Sequence, residues 1–466
     1  MTNFLSEDIF GLESLASEAT SAESESQWLR ENFALPYNPF PPSGISPDNP
    51  EGPPLRDQQG HEISGLIGNF ILSAYRNRGA TQGLVVTGSY GTGKSHILRL
   101  MHNQINKRLG SGEEKALSIY VQRPRIEAQD LNREVLRSLG EDTVRKMIWY
   151  CIRGQIARDI ESEASKLREL ETRLVGPLFA KHTSSVTEND FTRVFKIENL
   201  EDYRVFFEAY DSHGWQRGKL FDYLSDVFTR TVQLLSPAQV VDSFVTLLIA
   251  NDVESRESWE SLLTLGQRRK VPLLAAPEFL QDLLRIIQLN GHVYTFLLID
   301  EFEEVPAGYL LTRRQKADYM YTLMEILNKI NVGLGLVLAI TPEAWEVLTD
   351  EAPPLGDRLP TVIRLGALDT KSMIRLLQTY LEHARNGANL IAETPIFPFN
   401  DQTISTISAV LPERTPRNVL QFAHQLISYC ALNKIKSIDE DTIRQVLVSF
   451  LAMKDIQPEK RRLSGQ

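Results

Sequence analysis

The chain has 466 residues, enough for two or three domains, and its 42% hydrophobic and 24% charged residues are ordinary for a soluble globular protein. A net charge of −10 disfavours non-specific coating of nucleic acid, and the two cysteines, which lie far apart, argue against a disulfide scaffold. The chain starts without a basic, apolar leader and has no apolar run of membrane-spanning length, so we expect a cytoplasmic protein without a membrane segment.

The first 58 residues are predicted to form an N-terminal arm. "SEATSAESESQ" is polar and acidic, and "PYNPFPPSGISPDNPEGPP" carries too much proline for a helix or a central strand. Residues 59–126 are expected to form the first part of an α/β core. An amphipathic helix comes first, with Ile63, Leu66, Ile67, Phe70 and Ile71 on one face, and a strand follows over residues 84–87.

A glycine-rich turn follows that strand and matches G-x-x-x-x-G-K-[ST] in full: Gly88, Ser89, Tyr90, Gly91, Thr92, Gly93, Lys94 and Ser95. Such glycines let backbone N–H groups turn toward phosphate oxygens, while the lysine meets the β- and γ-phosphates and the Ser95 hydroxyl binds Mg²⁺. The sequence therefore predicts a P-loop that binds ATP and Mg²⁺, with Lys94 also acting in catalysis. His96 completes the nucleotide-binding segment, as a packing or polar residue rather than a catalyst.

The remainder of the chain divides into four predicted parts. Residues 127–288 are helical in pattern and are interpreted as a long insertion, and residues 289–366 contain "YTFLLIDEFEEV" and "VGLGLVLAITPEAW", two buried parallel-type strands that complete the core. Residues 367–453 are predicted to form a helical lid, and residues 454–466 a tail. The predicted fold class is α/β: a P-loop parallel sheet core with a long helical insertion and an all-helical C-terminal lid.

Two adjacent carboxylates close the apolar run "FLLIDE". Asp300 is placed to hold Mg²⁺, directly or through water, and Glu301 to orient and deprotonate the attacking water. The alternative is an exposed acidic strand end, because Glu303 and Glu304 follow closely.

The P-loop, the "LLIDE" strand and the later "ITPEAW" together resemble the AAA+ ATPases, and "LPERTPRNVLQFAHQL" resembles the sensor-2 helix of their initiator-type members. The resemblance implies three further catalytic residues: Thr341 as sensor 1, Arg358 as an arginine finger acting on a neighbouring subunit, and Arg417 as sensor 2 over the phosphates. The alternatives are a strand end for Thr341, an ion pair with Asp357 for Arg358, and a helix-bracing role for Arg417.

Lys94 and Asp300 lie much further apart in sequence than in simple AAA+ modules, and the insertion accounts for the excess. This layout is similar to that of the ATP-binding proteins of bacterial phage-defence (BREX-type) systems. "YNPF" also resembles the segment that precedes the first helix of initiator-type proteins, which implies that Tyr37 and Phe40 pack near the adenine. The alternative is an arm pinned by its aromatic residues.

The function expected from these features is an ATP-hydrolysing switch or motor subunit in a protein–DNA assembly, in phage defence or DNA mobilisation. A nucleotide-gated scaffold with little turnover is the alternative, and a P-loop metabolic kinase is disfavoured. The finger implies a homo-oligomer or a partner ATPase within a multi-subunit system. Direct DNA contact is left open, because two basic clusters are either phosphate contacts or solvated helix faces: Arg313-Arg314-Lys316 and Arg268-Arg269-Lys270.

Overall fold

The computed structural model describes residues 24–44, 62–77, 80–111, 115–124, 128–161, 203–204, 217–236, 238–249, 252–264, 277–307, 312–330 and 332–463. Its strands are β1 Thr81–Thr87, β2 Lys115–Val121, β3 His292–Ile299, β4 Leu334–Ile340 and β5 Thr361–Arg364.

The helices fall before, between and after these strands. After a helical segment over residues 24–33, those up to β3 are α1 Ile63–Arg76, α2 Lys94–Leu109, α3 Ala128–Leu139, α4 Glu141–Glu161, α5 Arg217–Val232, α6 Ala238–Ile249, α7 Asp252–Thr264 and α8 Pro277–Leu289. Those after β3 are α9 Arg313–Lys329, α10 Pro342–Glu351, α11 Pro353–Asp357, α12 Thr370–Ala388, α13 Asp401–Val410, α14 Pro416–Asn433 and α15 Glu440–Leu463.

The strands form one five-stranded sheet in the order β2-β3-β4-β1-β5. β2 runs parallel to β3, with Val121 opposite Ile299, and β3 runs parallel to β4, with Ile299 opposite Leu338. Every residue of β4 is buried, as a parallel strand covered on both faces requires. The predicted α/β fold class is confirmed. The sequence patterns did not predict β5, which has four residues and a single buried position.

The described chain divides into two compact units. The sheet unit comprises Gly68–Val86 and Met101–Val362. The lid unit comprises the described residues of Met1–Ile67, Thr87–Leu100 and Ile363–Gln466, and it therefore contains the predicted P-loop.

In the sheet unit, the described helices of the predicted insertion share a core with the sheet. Trp149 of α4, Phe244 of α6 and Phe279 of α8 belong to the same buried cluster as Leu297 and Ile299 of β3. The Phe244 and Phe279 rings stack with centroids 6.0 Å apart. The insertion thus supports the strand that ends at the predicted acidic pair.

In the lid unit, part of the predicted arm packs with α12 and α14. Residues 24–33 are helical, and the side chains of Trp28, Phe33 and Phe40 are buried. The Phe40 ring lies 6.1 Å from that of Tyr380 and 6.0 Å from that of Phe399. The arm therefore contributes to the lid unit's own core.

Candidate functional site

The predicted P-loop has a conformation that depends on its glycines. Gly91 and Gly93 have φ angles of +82° and +103°, a region that favours glycine. A Cβ on Gly88 would lie 2.5 Å from Thr92 Oγ1, so the first turn is also closed to larger residues. Helix α2 then begins at Lys94, so the turn ends where a helix presents its unpaired N–H groups.

Lys94 is folded onto this turn. Its side chain is buried, and Nζ donates hydrogen bonds to the carbonyl oxygens of Gly88 at 2.7 Å and Ser89 at 3.4 Å. The ammonium group also lies 5.4 Å from the centroid of the Tyr90 ring, which is exposed. A buried cation needs close oxygen partners, and phosphate oxygens are stronger partners than neutral carbonyls.

Arg417, the predicted sensor 2, lies against the same turn. Its backbone N–H donates to Gly91 O at 3.2 Å, and a Cβ on Gly91 would lie 3.0 Å from Arg417 Cβ. Thr415 caps helix α14 by accepting from Asn418 N, and Pro416 takes the first turn. Lys94 and Arg417 are therefore brought to one loop within the lid unit.

Ser95 and His96, the other two residues predicted to belong to the nucleotide-binding segment, lie on the first turn of α2. Ser95 is partly buried at the second position of the helix, next to Lys94. His96 is also partly buried, and burial lowers its pKa below the ordinary value of 6.5, with a smaller lowering from the positive charge of Arg99. The neutral form of His96 is therefore favoured, and its predicted place in the nucleotide-binding segment stays a prediction.

In the sheet unit, Asp300 follows β3 and is buried. Its Oδ2 accepts from the Tyr120 hydroxyl at 2.7 Å, and its Oδ1 accepts from the Glu301 N–H at 2.9 Å. Asp300 N donates to Val121 O at 2.9 Å, which continues the β2–β3 pairing to this residue. The carboxylate is consequently fixed in orientation at the carboxyl end of the sheet.

Glu301 adopts a left-handed backbone conformation, with φ 51° and ψ 35°. Non-glycine residues in this region often mark functional sites, because the surrounding structure must hold them there. Its carboxylate forms an ion pair and hydrogen bond with Arg123, which follows β2. That hydrogen bond, together with the negative charge of Glu301, raises the pKa of Arg123.

Thr341 follows β4, the strand adjacent to β3, and is buried. Its hydroxyl oxygen accepts from Ala344 N at 3.3 Å and caps helix α10. This contact gives Thr341 a structural role, and its predicted role as sensor 1 stays a prediction. Arg358 follows the short helix α11 and is exposed, and its predicted role as a finger for a neighbouring subunit is likewise untested.

The other features singled out in the sequence have different surroundings. Phe40 is enclosed by lid-unit aromatic rings, whereas Tyr37 is 52% exposed. Arg313 and Arg314 are exposed at the start of α9, and Lys316 Nζ donates to Pro306 O at 2.8 Å. The second basic cluster, residues 268–270, lies outside the described residues.

Two negative findings concern the described ranges alone. Within them, no set of three or more His, Cys, Asp or Glu side chains is arranged to hold a metal ion. Nor does any helix there combine the length and apolarity needed to cross a membrane.

Sequence reasoning missed Tyr120 and Arg123, which contact the predicted acidic pair. Tyr120 is the penultimate residue of β2 and Arg123 follows this strand, which is adjacent to β3, the strand that Asp300 follows. The signal available in the sequence was their position at the end of an apolar strand, "ALSIYV", with Tyr120 inside it and Arg123 two residues beyond it. Without knowledge of which strands pair, that position could not be assigned to the acidic site.

No family model matches the chain, and no curated protein matches it. Among solved structures, the chain is similar to the Aeropyrum pernix ORC2 protein in its ADPNP–ADP complexes, with TM-score 0.42 and 11% identity over 86% of this chain and 71% of that chain. The similarity to Drosophila ORC bound to DNA has TM-score 0.41 and 13% identity, and it covers 93% of this chain and 68% of that chain. The similarity to CDC6p from Pyrobaculum aerophilum has TM-score 0.38 and 13% identity, and it covers 86% of this chain and 69% of that chain. Similarities at this level do not assign an activity to the chain.

Proposed function

We propose that the protein is an initiator-type AAA+ ATPase subunit that hydrolyses ATP and acts as a switch or motor in a protein–DNA assembly. The observation that supports this most strongly is the P-loop itself: a complete motif, a buried Lys94 turned onto the loop, and the start of the Arg417 helix docked on Gly91. A merely structural glycine turn would not require a buried ammonium group beside an arginine-bearing helix end.

Nucleotide binding is assigned to the P-loop and α2. Backbone N–H groups of residues 88–95 would contact the phosphates, and Lys94 would exchange its carbonyl partners for β- and γ-phosphate oxygens. Arg417 would add a planar, permanently charged donor on the same loop. Both cations stabilise negative charge that grows on the γ-phosphoryl group during transfer to water.

The motifs assign Mg²⁺ to the Ser95 hydroxyl and the Asp300 carboxylate. One hydroxyl and one carboxylate fit this ion, since in such sites phosphates and water supply the other ligands. The hydrogen bonds from Tyr120 and the Glu301 amide hold the Asp300 carboxylate in one orientation. Bound Mg²⁺ would supply charge neutralisation for the phosphates.

Hydrolysis is assigned to residues at the strand ends. Glu301 would accept the proton of the attacking water, which requires its carboxylate to leave Arg123. Thr341 would orient the water or the γ-phosphate. The exposed Arg358 would act on the nucleotide of a neighbouring copy or of a partner ATPase, so full activity would require assembly.

The setting proposed is bacterial phage defence or DNA mobilisation, on the basis of the motif layout. The exposed Arg313 and Arg314 would contact DNA phosphates. A nucleotide-gated scaffold is the second candidate, and the Glu301–Arg123 ion pair favours it, because a base held by a cation would give slow turnover.

The test is phosphate release by wild type and by Glu301→Gln, each with and without duplex DNA. Glu346→Gln is the matched control, since this glutamate is an exposed helical residue of α10. The proposal predicts turnover in wild type and in the control, and ATP binding without turnover in Glu301→Gln. Equal turnover in wild type and Glu301→Gln would contradict the hydrolase assignment, and ATP binding without turnover in wild type would favour the scaffold.

A further inference from the structure

Residues 38–44 of the arm lie along helix α14 and contact it through directed hydrogen bonds. Asn38 Nδ2 donates to His424 O and to Ser428 Oγ, each at 2.9 Å. The His424 ring nitrogen Nδ1 lies 2.6 Å from Phe40 O and must donate, because a carbonyl oxygen only accepts.

A third hydrogen bond extends the contact toward the start of the helix, since Gln421 Nε2 donates to Ser43 O at 2.9 Å. The helix positions involved are 428, 424 and 421, and the next on the same face is 417. Residues spaced by three and four along a helix form one stripe. The arm therefore runs antiparallel to α14 along a single stripe that leads to Arg417.

The arm meets Arg417 at Gly44. Gly44 has a φ of +63°, and a Cβ there would lie 2.6 Å from Arg417 O and 2.7 Å from Arg417 Cγ. Only glycine fits both this backbone conformation and this approach. Because the Arg417 N–H donates to Gly91 O, the residue is held between Gly44 of the arm and Gly91 of the P-loop.

The bond from Arg417 to Gly91 has a simple origin. The first N–H groups of a helix lack intrahelical acceptors, and Arg417 is the second residue of α14. A P-loop carbonyl fills that role here, so a displacement of the helix start would break a bond to the loop that is proposed to bind phosphate.

We propose that residues 38–44 are a positioning strap for the nucleotide site, with Asn38 and Gly44 as positioning residues that act through Arg417. The strap contains Pro39, Pro41 and Pro42, whose fixed φ angles reduce the entropy lost when it is held in one conformation. This inference rests on the proposed function only in taking ATP as the ligand.

The test combines ATP affinity, measured by calorimetry, with a double-mutant cycle. Gly44→Ala is expected to weaken ATP binding by at least about twofold, the lower end of the range for contacting residues whose positions are coupled. In an Arg417→Ala background the same change is expected to have a smaller effect, because the part that acts through the Arg417 side chain is already lost. Equal losses in both backgrounds would overturn the positioning role. Gly65→Ala is the control, because a Cβ at Gly65 has no atom within 4 Å.

A second variant loosens the far end of the strap without touching Arg417. Asn38→Asp keeps the side-chain oxygen that accepts from Phe40 N but removes the two donor bonds to α14. It is expected to weaken ATP binding in the same direction as Gly44→Ala. Wild-type affinity in a folded Asn38→Asp protein would contradict the strap, whatever the state of Gly44→Ala.

Hydrogen exchange of the nucleotide-free protein separates this inference from the proposed function. Gly44→Ala and Asn38→Asp should speed exchange of the Arg417 amide, which donates to Gly91 O, while Gly65→Ala leaves it unchanged. Unchanged exchange in both strap variants would overturn the strap even if ATP binds. If wild type binds no ATP, the proposed function fails, and the exchange result still decides whether the strap exists.

Discussion

Replacing Arg123 should free the predicted catalytic base. Arg123 and Glu301 have side-chain exposures of 63% and 32%, so their ion pair is largely solvated. Exposed pairs of this kind contribute about 0.2–1 kcal/mol, which corresponds to a factor of about 1.4 to 5 in the population of unpaired Glu301. If turnover requires the unpaired carboxylate, Arg123→Ala should raise the turnover number by no more than about fivefold.

The assay is single-turnover and steady-state phosphate release by Arg123→Ala and by Arg123→Lys, which keeps the charge. Arg137→Ala is the matched control, because Arg137 is also exposed and pairs with a glutamate, Glu134, at 2.7 Å. Because salt screens an exposed ion pair, the difference between wild type and Arg123→Ala should shrink as ionic strength rises. A fall in turnover with ATP affinity unchanged would refute this reasoning and would give Arg123 a positive role in catalysis.

Two further predictions concern Thr341 and pH. Thr341→Ala should destabilise the protein by about 1 kcal/mol through loss of the α10 cap, whereas Thr341→Ser should retain the stability of wild type. Urea unfolding measures the stability of both variants, and equal values would contradict the capping role. Burial lowers the pKa of three histidines below 6.5: His96, His102 and His292. Folding therefore favours the neutral form of these histidines, and the unfolded chain binds more protons than the folded chain below pH 6.5. The free energy of unfolding should consequently keep its full value above pH 6.5 and decrease as the pH falls below it. Unfolding midpoints at pH 7.5 and 5.5 test this, His102→Gln should reduce the fall, and a flat profile would contradict it.

The parts of the site that the sequence predicted are those whose chemistry is local. In the P-loop, a strand, glycines and Lys94 are consecutive, and the positive φ angles of Gly91 and Gly93 are what such a turn requires. The buried strands before Asp300 and Thr341 were also predictable, because continuous apolar runs are typical of strands in a parallel sheet. These features depend on neighbours in sequence.

The parts that could not be predicted depend on pairings between distant segments. Tyr120 meets Asp300 only because β2 lies beside β3, and the sequence does not state strand order. The contact of Asn38 with His424 likewise joins residues far apart in the chain. β5 was missed because a strand of four residues with one buried position has no distinct periodicity.

We propose that the P-loop binds ATP through Lys94. The most direct test is calorimetric titration of the purified protein with ATP and Mg²⁺, beside Lys94→Ala and the control Lys107→Ala, an exposed lysine of the same helix α2. We predict saturable binding by wild type and Lys107→Ala, and loss of it in Lys94→Ala. Equal binding by all three proteins, or no binding by wild type, would contradict the assignment of the P-loop and Lys94 to ATP binding.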